Sequence, residues 1–265
     1  MKLFILLCIL LISVVHGQSE CYSERLGSNG TCVESNSCDG YIDPQSICDD
    51  GSGITQCCIN TGFKLIIHND DGLLNQNQLD RLHYTFAYSY PFLYNNYAAE
   101  NDERWTINLL LQHLPANYFA EWDGHDVILN IEVIPSMTNM EWFVHELTHT
   151  AQNYDLASVE FPRWWVEGMA EVGMYWYAPV EEQGKPFPGE PKSDDHYDKN
   201  NGYEVAARWF MWIEKRFNDS FIETLNHFTQ TKPTASEWSN KWVELCGSSP
   251  DDIWAQYVAD PSIPE

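Results

Sequence analysis

Three short runs after residue 60 have the composition of β-strands, and the first of them also alternates apolar and polar residues. The runs are FKLIIHN (63–69), RWTINLLLQ (104–112) and HDVILNIEVIP (125–135), each bounded by polar, Gly or Pro residues. We predict a strand in each of them.

A longer period of three to four residues follows, which is typical of amphipathic helices. The segment 75–98 carries aromatic residues at this spacing, and we expect its helix to end or kink near Pro91. Six more segments have the same pattern: 139–153, 162–177, 202–217, 219–230, 236–247 and 250–258. Because the strands come first and the helices follow, we predict an α+β fold.

The first residues have a different composition. Lys2 is followed by an apolar run at 3–15, and the small residues Val15 and Gly17 precede Gln18. This arrangement predicts a secretory signal peptide at 1–17, because the run is too short to span a bilayer comfortably. We therefore expect a secreted, extracellular protein, with delivery to a lumenal or lysosomal compartment as the alternative.

Cysteines divide the remaining chain into two parts. Six of the eight cysteines lie within residues 21–58, whereas Cys8 falls in the predicted signal and Cys246 stands alone. Such density in an exported segment predicts a disulfide-rich module at 18–60 rather than a zinc cluster, with the pairing left open. A larger domain is then predicted at 61–265. Cys246 is most simply a buried apolar residue.

Charge limits the classes of partner. The chain has 39 acidic and 14 basic residues, a formal net charge of -25. Without a basic patch, nucleic acid and anionic membranes are not expected to bind. We expect a monomer, with glycosylation acceptors at Asn29 and Asn218.

The segment FVHELTHTAQNYD (143–155) contains the H-E-x-x-H pattern. On a helix, His145 and His149 lie one turn apart on the same face and can bind one ion. Glu146 then lies beside the metal, where it can accept a proton from water and later pass it to a leaving amine. This pattern predicts a zinc peptidase site, which requires a third ligand.

Glu167 follows His149 by 18 positions, on the next predicted helix. Zinc enzymes of the two-histidine, one-glutamate (gluzincin-like) type take their third ligand from such a helix. Glu171 lies one turn further, where it can fix the orientation of a ligating histidine. Gly168 and Ala170 are small, and we expect them to let the two helices approach closely near the ion.

Asp155 is a rival third ligand, six residues after His149. Other zinc peptidases use this spacing, but they need a glycine three residues after the second histidine to turn the chain. Here Gln152 occupies that position and favours a continued helix, so we prefer Glu167.

Two further features of the site are predicted less directly. Stabilisation of an oxyanion needs a hydrogen-bond donor, for which Tyr203 and His196 are the candidates. The strand at 125–135 can offer a free edge to an extended peptide, or it can be a core strand without one. The sequence leaves both alternatives open.

The chain resembles the plant basic secretory proteins and their bacterial relatives, which are regarded as secreted zinc peptidases. The similar segments are HELTHTAQ (145–152), PRWWVEGMAEV (162–172), NNGYEVAARWFMWIEKRF (200–217), FIETLNHF (221–228) and PDDIWAQY (250–257). Their order and spacing match across roughly residues 63–260. The resemblance implies a zincin-like domain: a twisted N-terminal sheet with a helix, the zinc helix, and a mostly helical C-terminal part.

Within that resemblance, His145, Glu146 and His149 take the usual roles, with an acidic residue from 167 or 171 near the metal. The family's usual Asp-Tyr pair is Glu171-Val172 here, so either glutamate remains open as the ligand. The chain is also strongly acidic, whereas the family name describes its members as basic. The cysteine-rich segment more loosely resembles modules ahead of secreted hydrolases of microbial eukaryotes, either a glycan- or wall-binding appendage or a disulfide-stapled cap.

Two functions follow as predictions. The first is a secreted zinc-dependent peptidase that acts on peptide or protein substrates, with His145, His149 and Glu167 as zinc ligands and Glu146 and Tyr203 as catalytic residues. The second is a secreted defence or glycan-binding protein built on the same scaffold. The intact set of ligands and base favours the first.

Overall fold

The computed structural model of the protein describes residues 19–34, 37–48, 55–100, 102–115, 118–154, 162–199 and 202–263. These residues form two compact units, with the boundary between Asn60 and Thr61. The predicted signal peptide, Cys8 and the rival ligand Asp155 lie outside the described residues.

The first unit is a four-stranded antiparallel sheet closed by disulfides. Its strands, in the order β1-β2-β4-β3, are β1 (Glu20–Ser23), β2 (Ser28–Glu34), β3 (Tyr41–Asp43) and β4 (Thr55–Ile59). The disulfides are Cys21–Cys57, Cys32–Cys48 and Cys38–Cys58. A segment this short buries little apolar surface, so cross-links supply much of its stability. The prediction of a disulfide-rich N-terminal region is confirmed.

The second unit begins with a mixed sheet. Its strands are β5 (Lys64–His68), β6 (Thr106–Gln112), β7 (Ala120–Trp122) and β8 (Val127–Asn130), arranged in the order β5-β6-β8-β7. The strands β5, β6 and β8 are parallel, and β7 runs antiparallel to β8 at the edge.

The strand predicted at 125–135 is only partly right. It ends at Asn130, whose side chain accepts a hydrogen bond from the backbone of Glu132 and starts a 3-10 helix at Ile131–Ser136. Moreover, β8 lies between β6 and β7, so it has no free edge. The sheet ends next to β8 in the short edge strand β7, which was not predicted from the sequence.

Helices form the rest of the second unit, at all seven segments where helical periodicity predicted one. They are α1 (Gln76–Tyr97), α2 (Glu141–Gln152), α3 (Arg163–Tyr177), α4 (Tyr203–Arg216), α5 (Phe221–Gln230), α6 (Ala235–Cys246) and α7 (Pro250–Ala259). None of the described helices is long and apolar enough to cross a membrane. The α+β prediction is confirmed, with the sheet and disulfides first and the helical part after.

Of the two effects expected of Pro91, an end or a kink of α1, the end is not found. The helix continues to Tyr97, with Pro91 inside it. Tyr90 and Leu93 on either side are fully buried. Their packing offsets the hydrogen bond that proline removes from a helix interior.

Two glycines on α3 allow close helix packing, but only one faces the α2 helix. A Cβ on Gly173 would lie 2.2 Å from Thr148 Oγ1 on α2. A Cβ on Gly168 would instead meet Phe210 and Ala206 on α4, at 2.6 and 2.7 Å. The expectation that Gly168 brings the two site helices together is therefore wrong, and Gly173 does so one turn and a half further along.

Candidate metal centre and cleft

The two histidines of the H-E-x-x-H pattern meet Glu167 in the space between α2 and α3. Glu167 Oε2 lies 3.4 Å from His145 Nε2 and 3.5 Å from His149 Nε2. All three side chains are buried. One potential ligand atom from each residue lies within 4.8 Å of the others.

The two distances from Glu167 to the histidines fit a tetrahedral metal ion. With ligand bonds of about 2.0–2.1 Å, the ligand atoms of a tetrahedral zinc site are about 3.3 Å apart. The two nitrogen–oxygen separations of 3.4 and 3.5 Å are close to this value. Two imidazoles and one carboxylate also match the donor types of zinc sites. The residues present therefore fit a zinc ion.

The electrostatics of this cluster favour a positive charge between the carboxylates. Burial alone would lower the pKa of His145, but hydrogen bonds with Glu167 and Glu171 outweigh it and raise the pKa to about 10. Burial likewise opposes ionisation of Glu167, yet His145 and His149 hold the pKa of its carboxyl well below the usual range. Arg163 Nη2 donates to the other oxygen of Glu167, Oε1, at 2.7 Å. This bond leaves Oε2 facing the histidines.

Glu171 contacts the far side of the His145 ring. Its Oε1 lies 3.2 Å from His145 Nδ1, the contact expected of a carboxylate that orients a ligating histidine. The other nitrogen, Nε2, then faces Glu167. Of the two glutamates, Glu167 thus lies among the donor atoms of both histidines, and Glu171 lies behind one of them.

Glu146 is buried beside the cluster and is held from the sheet side. Its carboxylate accepts a hydrogen bond from the backbone N–H of Trp122 on β7. Burial raises the pKa of Glu146, although the two histidines and the Trp122 bond act in the opposite direction. A buried carboxylate with a raised pKa can accept a proton in one step and release it in another.

All these residues line one cleft of about 970 Å³. The walls come from β7, α2, α3, the start of α4 and the segment around Lys185. Glu141 Oε2 holds that segment in place by accepting hydrogen bonds from the backbone N–H groups of Gly184 and Lys185, at 2.6 and 2.8 Å. A cleft of this volume admits several residues of an extended peptide.

Tyr203 lines the same cleft and contacts the ring of His145. Its ring stacks on that of His145, with centroids 6.1 Å apart and planes at 20°. Tyr203 begins α4 with φ at +35°, a backbone region that side-chain-bearing residues rarely adopt. Such strained positions cluster at functional sites.

His196, the other predicted oxyanion donor, does not line this cleft. Its Nδ1 lies 2.5 Å from Asp198 Oδ1, and its ring packs against Tyr197 and Trp254. It lines a separate cavity of about 220 Å³ that shares the Tyr203 wall.

Sequence reasoning missed three contributors to the site: Arg163, the Glu141-anchored segment and the Trp122 amide. Arg163 could have been found, because it precedes Glu167 by four positions on the same helix face. The sequence Asp123-Gly124 before β8 is also a signal for a hairpin, and hence for a strand ahead of it.

Comparison with known proteins supports a peptidase. Residues 135–257 match the sequence model of a family described as "Peptidase of plants and bacteria". This stretch includes α2 to α6 and most of α7, so it carries every candidate ligand and Glu146. The resemblance noted in the sequence is confirmed there. No curated protein matches the chain.

Proposed function

We propose that this chain, whose residues 135–257 match a peptidase family, is a zinc-dependent peptidase with its zinc bound by His145, His149 and Glu167. The observation that carries the proposal is the approach of Glu167 Oε2 to within 3.5 Å of both histidine Nε2 atoms. Glu146 lies next to that cluster in the same cleft. Zinc bound there would polarise the scissile carbonyl and acidify water.

Two other residues orient the ligands. Glu171 accepts from His145 Nδ1 and so directs Nε2 towards the ion. Arg163 holds one oxygen of Glu167 and leaves the other for the metal. Such outer contacts fix ligand geometry and contribute to metal affinity.

Glu146 is the general base and acid of the proposed reaction. It removes a proton from the attacking water, and it later donates that proton to the amine of the departing product. The Trp122 N–H holds one side of the carboxylate. This contact orients the base towards the cleft.

The edge strand β7 accounts for recognition of a peptide. In an antiparallel pair, hydrogen-bonded positions alternate. The backbone N–H of Asn130, the last residue of β8, donates to the backbone oxygen of Phe119, which immediately precedes β7. Positions 119 and 121 therefore bond to β8, and the backbone groups of Ala120 and Trp122 point outward. Since the Trp122 N–H binds Glu146, the N–H and C=O of Ala120, which have no backbone partner among the described residues, are left for an extended substrate.

We expect Tyr203→Phe to reduce kcat about 10- to 1000-fold, because the hydroxyl would donate to the oxyanion. Phenylalanine keeps the ring that stacks on His145, so zinc content should not change. Steady-state kinetics with a fluorogenic peptide, together with metal analysis, check this. An unchanged kcat would assign Tyr203 to packing alone.

Removal of the metal tests the proposed function directly. Peptide hydrolysis should disappear after chelation and return when one equivalent of zinc per chain is added. Refolding of the chain must be monitored by circular dichroism, because metal loss can also unfold a protein. Hydrolysis that persists in the folded, metal-free chain would contradict a zinc enzyme.

The domain division and the compartment belong to the same proposal. We assign residues 18–60 to a disulfide-stapled module and 61–265 to the catalytic domain. The three disulfides support maturation in an oxidising compartment and hence secretion.

A further inference from the structure

Most of the charged side chains that line the cleft already have a partner or a role. Glu167 and Glu146 form the metal site and its base, Glu171 contacts His145, and Glu141 binds two backbone N–H groups. Both cations are paired as well. Arg163 contacts Glu167, and Lys185 Nζ lies 3.0 Å from Glu204 Oε1.

Glu121 is the exception. It lines the cleft as the central residue of β7 and is partly exposed. Its carboxylate has no ion pair or side-chain hydrogen bond with any residue in the described part of the chain. It takes no part in the proposed metal binding or proton transfer.

The register of β7 determines what Glu121 would face. The backbone N–H and C=O of Glu121 are directed to β8, where it pairs with Ile128. A peptide strand bound through Ala120 would thus place one residue opposite Glu121 at a non-hydrogen-bonded position. Side chains at such positions are the closest of any cross-strand pair, with Cα atoms about 4.5 Å apart.

Resting on the proposed peptidase function, we propose that Glu121 selects a lysine or arginine at one position of the substrate, the residue opposite it on the edge strand. A cation there gains an opposite-charge cross-strand pair, whereas an acidic residue meets a like charge. The other carboxylates of the cleft are engaged, so the preference is confined to this position.

The charge of the whole chain acts in the same direction. A formal net charge of -25 attracts cationic peptides at long range and repels acidic ones. That effect is not specific to position and fades at high salt. The contribution of Glu121 is distinguished from it by its dependence on position.

The test uses full-length, zinc-loaded protein and peptides in which a single Lys, Gln or Glu is moved through the positions around the scissile bond. The wild type should favour Lys over Gln by about 1.5- to 5-fold in kcat/KM at one position. Glu121→Gln should remove this preference, and Glu121→Lys should invert it to favour Glu. Glu100→Gln, an exposed charge outside the cleft, should keep the wild-type profile.

Affinity for the same peptides, measured in the Glu146→Gln background, provides a readout that needs no turnover. The same positional preference should appear in Kd. Identical profiles in wild type, Glu121→Gln and Glu121→Lys would overturn the role of Glu121 while leaving the peptidase intact. If the zinc-loaded wild type cleaves none of the peptides, the proposed function is overturned instead. The Kd values in the Glu146→Gln background would then still show whether Glu121 selects a cationic residue.

Discussion

Replacement of Glu146 by Gln is expected to abolish most peptide hydrolysis while leaving zinc bound. Glutamine has nearly the same size and can still accept the Trp122 hydrogen bond through its carbonyl oxygen, but it cannot take up a proton. Loss of general acid–base catalysis reduces rates by about 100- to 10,000-fold. The measurement is kcat with metal content determined on the same sample.

The same change at Glu100 serves as the control, since that side chain is exposed and does not line the cleft. It should leave both kcat and zinc content at wild-type values. Wild-type hydrolysis by a zinc-loaded Glu146→Gln protein would remove Glu146 from the mechanism.

Replacement of Glu167 by Ala should cost more zinc affinity than any other change of a carboxylate in the cleft. Its Oε2 atom lies near the donor nitrogens of both histidines, so its loss removes a ligand. Glu171→Ala should weaken binding by about 10- to 100-fold, the usual effect of losing an outer contact to a ligating histidine. Competition with a chromophoric chelator measures both affinities.

Asp155→Ala completes this series because the spacing made it a rival ligand. We expect its zinc affinity to equal that of the wild type. If Glu171→Ala lowers the zinc affinity more than Glu167→Ala does, Glu171 is the ligand and Glu167 is the residue that orients it. If only Asp155→Ala lowers the zinc affinity, Asp155 is the third ligand instead of Glu167.

Much of the candidate site was predictable because it depends on helical periodicity. A helix places His145 and His149 on one face whatever surrounds it, and the same period puts Glu167 and Glu171 one turn apart. The continuation of α2 through Gln152 was also correct, since a helix former there is locally favourable. These features depend on the local sequence and not on how distant segments pack.

Apart from Arg163, which is a local contact on α3, the missed features depend on contacts between distant segments. Strand β7 is only three residues long, so its side chains carry no usable period, and its contribution to Glu146 is a backbone N–H with no sequence signature. Gly168 likewise faces α4 and not α2, because α4 packs against that side of α3. Burial around Pro91, rather than its own preference, kept α1 continuous.

The most direct test of the zinc assignment is anomalous diffraction at the zinc absorption edge from crystals of the zinc-loaded protein. We expect one strong peak in the second unit, at about 2.0–2.2 Å from His145 Nε2, His149 Nε2 and a carboxylate oxygen of Glu167. A fully occupied peak that lacks either histidine, or that takes its carboxylate from Asp155 or Glu171 instead of Glu167, would contradict it.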